Sequence, residues 1–187
     1  VYNWESEIAN FAPELSVCTV AGSQSEREAV LQELFDSEIC QKDVVITSYD
    51  LLRRDLLYYA EYEFRFQIID EAQYIKNAST QTSKAVKAIR ARTRFALTGT
   101  PIENHLGELW SIFDFLMPGF LLTAAKFRKI FEIPIVRDGD KDALNRLHRM
   151  TGPFLLRRLK KDVLKELPDK METVLFSQME GEQKRLY

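Results

Sequence analysis

The chain is poor in the residues that would announce several common chemistries. Cys18 and Cys40 are its only cysteines, with no C-x-x-C pair and no histidine nearby. That excludes a zinc site of the usual ligand spacing and a disulfide framework, and it reads as two reduced thiols in an intracellular protein. No apolar run reaches the ~18 residues that a membrane-spanning helix requires, so no membrane partner is expected. The first residues, VYNWESEIANF, have neither an initiator methionine nor a basic region followed by an apolar core. They are not a signal peptide, and they read as the interior of a longer chain. Internal repeats and low-complexity tracts are also missing.

Glycine is scarce as well. The seven glycines stand at 22, 99, 107, 119, 139, 152 and 181, and none is followed by Lys-Ser or Lys-Thr. The sequence therefore holds no G-x-x-x-x-G-K-[ST] loop, whose backbone N–H groups and lysine wrap nucleotide phosphates.

What is present is strand–helix alternation. Apolar, β-branched runs at 15–22, 42–50, 64–73 and 93–101 predict four strands. Between them, 25–35 predicts a helix opened by a capping box of Ser25 and Glu28. Leu52, Leu56 and Tyr59 mark a second helix face. Thr82, Ala85, Val86 and Ile89 mark a third, at i, i+3, i+4, i+7. Leu106, Leu109, Trp110, Phe113, Leu116 and Met117 form the widest apolar helix face, stopped by Pro118-Gly119. Nearly all-apolar strands alternating with helices imply a doubly wound, mainly parallel α/β sheet covered on both faces. Ligands of such sheets bind beyond the carboxyl ends of the strands. Those ends carry Thr47-Ser48-Tyr49-Asp50, Asp70-Glu71-Ala72-Gln73 and Thr98-Gly99-Thr100-Pro101.

Charge divides the chain. Residues 1–120 carry 11 Lys and Arg against 18 Asp and Glu, a net of −7, whereas 121–170 carry 13 against 7, a net of +6. The reversal suggests a boundary, with the basic part either meeting a polyanion or forming a solvated helical surface. After residue 120 the pattern is helical: AAKFRKIFEIPI, DKDALNRLHRM after the turn RDGD, then GPFLLRRLKKDVLKEL. METVLFSQM (171–179) reads as a strand leaving this part, and EGEQKRLY as the start of a further helix. The basic stripe Arg157–Lys165, His105 and His148 are consistent with surface or capping roles. Trp4 and Trp110 are expected in the core.

The chemistry concentrates in QIIDEAQYIKN, residues 67–77. Hard divalent cations take carboxylate oxygens and retain water. One carboxylate after a strand can orient a hydrated metal, and the next can position or deprotonate a water. Strand alternation would send the two side chains to different sides. The rival reading is a pair of surface carboxylates at a helix start.

DEAQYIKN (70–77), LTGTPIENHLGELWSIFDFLMPG (97–119) and PFLLRRLKKDVLKELPDK (153–170) occur in that order. With Asn3-Trp4 and VVITSYDLLRRD, this combination resembles the Swi/Snf-like ATPases, DNA-translocating motors of helicase superfamily II. The resemblance covers essentially the whole chain. It implies an incomplete RecA-like lobe of the P-loop NTPase type at 1–120, a helical insertion or brace at 121–170, and an exit strand and helix start at 171–187. It implies that Asp70 holds magnesium through water, that Glu71 activates the hydrolytic water, and that Gln73, Thr98, Gly99 and Thr100 couple the nucleotide and DNA sides. Thr47, Ser48 and Tyr49 would touch the DNA backbone. Gln73 replaces the histidine of many members, and Glu103 stands where glutamine is common. ATP and Mg2+ are the implied cofactors. Double-stranded DNA, the second RecA-like lobe of the same parent chain and a DNA-bound protein target are the implied partners. The location would be cytoplasmic, at the nucleoid, in a bacterium and nuclear in a eukaryote. In that family the phosphate-binding loop lies upstream of YNW and the second-lobe arginines lie downstream of this sequence. The 187-residue chain alone is therefore expected to be inactive. Alternatives are a non-catalytic module that binds DNA or protein, and a strand-separating helicase.

Overall fold

A computed structural model describes residues 1–35, 42–99 and 106–158, and the single residue Arg185. It divides into two compact units, Val1–Asn145 and Arg146–Tyr187.

The first unit opens with α1 (Tyr2–Phe11), β1 (Val17–Thr19), α2 (Gln24–Phe35), β2 (Val44–Ile46), α3 (Tyr49–Arg54), α4 (Leu56–Tyr59) and β3 (Glu63–Ile69). A 3-10 turn (Ala72–Ile75), α5 (Gln81–Ala88), β4 (Arg90–Ala96), α6 (Leu106–Leu116), α7 (Ala124–Phe127), α8 (Ile133–Asp138) and α9 (Lys141–Thr151) follow, and the last of these runs into the second unit. Both strand pairs are parallel, as the alternation predicts. Val17, Cys18 and Thr19 register with Val44, Val45 and Ile46, and Ile68 and Ile69 with Phe95 and Ala96. The strands are shorter than the apolar runs. The β1–β2 pair is clamped at its start, where the Ser16 N–H and hydroxyl both reach Asp43 Oδ2 at 2.8 and 2.6 Å.

One face of β3–β4 packs as expected. Ile69, Val86, Ile112 and Phe115 form a buried cluster with Ala72 and Ile75, so α5 and α6 cover that side. Phe115 is fully buried, and removing such a side chain from water stabilises by about 2–3 kcal/mol. The other face differs from the two-sided cover expected. There Phe66, Ile68, Phe95 and Leu97 stay 41–60% exposed among the described residues.

The start of α2 corrects the predicted cap. The Ser23 N–H and hydroxyl donate to Glu26 Oε2 at 2.8 and 2.7 Å, and the Glu26 N–H reaches back to Ser23 Oγ at 3.4 Å. The reciprocal box is thus Ser23–Glu26, two residues ahead of Ser25–Glu28. Gly22 explains the offset. Its φ of +97° turns the chain into the helix, and a Cβ there would sit 2.6 Å from Glu26 Oε2. The helix expected to run through Leu52, Leu56 and Tyr59 is broken at Asp55 into α3 and α4. Asp55 is buried and accepts a forked pair of bonds from Arg27, at 2.6 Å from Nε and 3.0 Å from Nη2. Arg27 Nη1 also donates to the Gly22 carbonyl at 3.0 Å, so one guanidinium ties α2 to both the Gly22 turn and the α3–α4 break.

Beyond residue 120 the expected helices form up to Thr151. Between α7 and α8 the helix widens to a π-turn over Arg128–Glu132. Pro134 follows; it has no N–H for the carbonyl four residues back, and the widened turn accommodates its ring. Gly139, with φ +67°, ends α8, and Asp140 Oδ1 caps α9 by accepting from Asp142 N and Ala143 N, both at 2.9 Å. In the second unit, GPFLLRR does not begin a long helix. Gly152–Phe154 is one 3-10 turn closed by Leu155 N on the Gly152 carbonyl, and Leu155 is extended. Arg158 is the last described residue of that stretch, so the rest of the predicted helix and the strand at 171–179 lie outside the described residues.

Two outcomes follow for stability. Ser23→Ala should cost about 1 kcal/mol in denaturant unfolding while Ser25→Ala is near neutral, since only the former caps α2; equal costs would contradict the cap. Asp55→Ala leaves a buried guanidinium without its counter-ion and should lower the thermal midpoint by on the order of 10 °C. Replacing both members by apolar residues should recover much of that loss.

Candidate active site

Leu97, one residue past β4, makes two backbone bonds to the strand beside it. Its N–H donates to the Ile69 carbonyl at 2.8 Å, and its carbonyl accepts from Ala72 N–H at 2.9 Å. Both ends of a two-residue span are pinned to a single residue, so the span must leave the ladder. That span is Asp70-Glu71. Ile69 and Ala72 are buried on either side of it, while Asp70 and Glu71 are exposed.

The tight exit has a backbone consequence. Glu71 lies in the left-handed region at φ 51°, ψ 53°. For a residue with a Cβ this costs roughly 1–2 kcal/mol. The two Leu97 bonds and the Glu71 N–H bond to Asp70 Oδ1 at 2.8 Å, each contributing about 1 kcal/mol net, offset it. Strand alternation is therefore not what separates the two carboxylates, since β3 ends at Ile69. The left-handed turn gives them separate partners.

Asp70 is oriented by two neutral donors. Oδ1 accepts from Glu71 N–H, and Oδ2 accepts from the Trp4 indole Nε1–H at 2.9 Å. Its backbone carbonyl accepts from the Tyr49 hydroxyl at 2.7 Å. The Tyr49 ring packs on Tyr74 with centroids 5.3 Å apart. Burial, then the nearby charges of Asp70 and Glu71, push the Tyr49 phenol well above its ordinary value, so it stays a neutral donor. The Glu71 carboxylate accepts from Gln73 Nε2 at 2.6 Å, and Gln73 Oε1 accepts from the Thr98 hydroxyl at 2.9 Å. Glu71, Gln73 and Thr98 thus form one chain from the loop to the end of β4. Among the described residues no Lys or Arg forms an ion pair with Asp70 or Glu71.

The residues singled out from sequence are placed as follows. Asp70, Glu71, Gln73 and Thr98 come together in one bonded set, and Tyr49 joins it through the Asp70 carbonyl. Thr47 and Ser48 face local tasks: Thr47 Oγ1 donates to the Val20 carbonyl at 3.3 Å, and Ser48 Oγ caps α3 by accepting from Leu51 N. Gly99 is exposed, and a Cβ on it would meet nothing within 4 Å. Thr100, Glu103 and His105 lie outside the described residues. Trp110 is half-buried and donates to the Leu122 carbonyl at 3.1 Å.

Trp4 is the residue the sequence reading misplaced. It is 37% exposed rather than in the core, and α1 buries none of its residues. The signal was its place beside Asn3 at the head of α1, which composition alone gives no reason to connect with Asp70, 66 positions away.

Among the described residues no group of three or more His, Cys, Asp or Glu could hold a metal ion by itself. The donor set is instead one oriented carboxylate with spare lone pairs and a second beside it. That suits a hard cation which keeps water and takes further oxygens from a phosphate ligand. No helix among the described residues is long and apolar enough to cross a membrane.

Comparison with known proteins gives the family. The solved SWI2/SNF2 ATPase core of Sulfolobus solfataricus in complex with dsDNA superposes with a TM-score of 0.75 at 38% identity, over all of this chain and 38% of that one. The TATA-binding protein-associated factor Mot1 of Saccharomyces cerevisiae is 41% identical over 99% of this chain and 10% of its own length. An ATP-dependent helicase of Mycoplasma genitalium, MG018, is 38% identical over 99% of this chain and 17% of its own. The chain thus spans between a tenth and a fifth of these two curated relatives. The model of the SNF2-related domain matches residues 1–187, and the chain belongs to that family.

Proposed function

We propose that this chain carries the cation-and-water half of the ATP site of a DNA-translocating SNF2-type ATPase. The observation that carries the reading is the Asp70-Glu71 span pinned by Leu97, with both carboxylates held by neutral donors and neither paired with a cation among the described residues. Asp70 would hold a hydrated Mg2+ through its remaining lone pairs. Bound magnesium would supply neutralisation of the phosphate charge of ATP. Glu71 would accept the proton of the attacking water, with Gln73 Nε2 fixing one carboxylate oxygen so that the other faces the reaction. Gln73 and Thr98 give a direct polar route from that base to the end of β4, which supports a coupling role for Gln73, Thr98, Gly99 and Thr100.

Thr47, Ser48 and Tyr49 lie at the end of β2 next to this loop, and the dsDNA-bound relative supports a DNA-facing role for that edge. Thr47 and Tyr49 already donate their single O–H to the Val20 and Asp70 carbonyls, whereas Ser48 accepts from Leu51 N–H and keeps its own proton, so Ser48 would be the one to donate to a phosphate in this arrangement. The parent protein would hydrolyse ATP and move on double-stranded DNA, remodelling protein–DNA contacts. In functional terms residues 1–120 would belong to its first RecA-like lobe, 121–170 to a helical insertion, and 171–187 to the exit towards the second lobe.

Two results test this. The purified 187-residue chain should show no ATP turnover with or without DNA, because it contains no phosphate-binding loop; measurable turnover would contradict the reading. In the full-length parent, Glu71→Gln should lower DNA-stimulated turnover by about 10²-fold or more while leaving nucleotide affinity unchanged. Wild-type turnover in that variant would remove Glu71 from the role of base.

A further inference from the structure

α1 poses a packing problem. None of its residues is fully buried, and Trp4, its third residue, keeps 37% of its surface exposed, so apolar contact alone does not account for it. Two side-chain bonds tie the helix to the rest of the unit. The Thr19 hydroxyl on β1 donates to Glu5 Oε2 at 3.1 Å, and the Trp4 indole N–H donates to Asp70 Oδ2 at 2.9 Å. Glu5 thus fixes where the helix start sits on β1, and Trp4 delivers one donor from there to the carboxylate.

We propose that Trp4 is a positioning residue for the divalent cation, acting through Asp70. The inference rests on the reading that Asp70 holds that cation. A carboxylate offers about four lone-pair sites. The Glu71 N–H takes one on Oδ1 and the indole takes one on Oδ2, which sets the plane of the group and leaves one site on each oxygen. The choice of donor is informative. A lysine or arginine in this place would orient Asp70 equally well, but its charge would compete with the metal. An indole N–H only donates, is neutral, and does not titrate, so it holds the carboxylate without diminishing its negative charge. Neutral partners behind a ligating group are how metal sites commonly fix ligand direction, and their loss typically weakens metal binding 10–100-fold. Because the donor sits on α1, a displacement of that helix would be felt as a change in cation affinity at the strand end.

The test uses the full-length parent with a non-hydrolysable ATP analogue, and reads Mn2+ binding by electron paramagnetic resonance alongside the Mg2+ dependence of turnover. W4F removes the donor and keeps a ring. Replacing Trp4 by benzothienylalanine keeps the bicyclic shape as well, with sulfur in place of N–H. Both should weaken Mn2+ binding by about 10-fold or more and raise the Mg2+ needed for half-maximal turnover, with the rate recovering at excess Mg2+. W4R should weaken binding further than W4F. D70N separates the inference from its foundation. Loss of Mn2+ binding in D70N with wild-type binding in the benzothienylalanine protein would overturn the role of Trp4. Wild-type Mn2+ binding in D70N would overturn the reading of Asp70 itself. A purely structural Trp4 would lower the thermal midpoint and leave cation affinity unmoved in the isosteric variant, which would also overturn the proposal.

Discussion

The two backbone bonds of Leu97 are the constraint on which the site depends. By binding Ile69 and Ala72 at once, Leu97 forces Asp70 and Glu71 out of the sheet and into solvent while their neighbours stay buried. The left-handed backbone of Glu71 follows from that geometry, and so does the separation of the two carboxylates. The buried cluster of Ile69, Ala72, Ile75, Val86, Ile112 and Phe115 beneath the loop stops the strand end from relaxing. A strained residue on a rigid base is a low-entropy way to hold a charged group in one direction.

The electrostatics of the loop complement its geometry. Adjacent carboxylates at a buried strand end would be costly without a counter-ion, but these two are exposed, and hydration bears much of the cost. Among the described residues, the groups that hydrogen-bond them are an indole, a backbone amide and a glutamine amide, with a neutral tyrosine on the Asp70 carbonyl. The arrangement orients negative charge without neutralising it. Some acids elsewhere in the same unit are paired with cations, Asp55 with Arg27, Asp50 with Arg53 and Arg54, Asp114 with Lys87, while Asp43, Glu26 and Asp140 are held by neutral donors as this pair is.

Much of this was legible in sequence, and what was not has physical reasons. Apolar runs separated by helical periods are a strong signal, so the parallel strands and the helices around them were readable, as was the acidic pair at a strand end. Boundaries were less so. The cap of α2 moved to Ser23 because Gly22 is free to take a positive φ, a conformational fact that a Ser-x-x-Glu pattern does not encode. The break at Asp55 depends on an ion pair with Arg27, 28 positions away, which no local window contains. Trp4 was assigned to the core because tryptophans usually are buried, and its bond to Asp70 exists only once α1 and β3 are brought together. The open face of Phe66, Ile68, Phe95 and Leu97 likewise reflects what lies against the strands, which composition does not report.

The central claim is that Asp70 receives the cation while Trp4 holds it from behind. The most direct measurement is anomalous scattering from Mn2+ in crystals of the full-length parent with a non-hydrolysable ATP analogue. The account predicts a manganese peak within one water of the Asp70 carboxylate, with the Trp4–Asp70 hydrogen bond still made. A peak remote from Asp70, with the carboxylate unengaged, would contradict it.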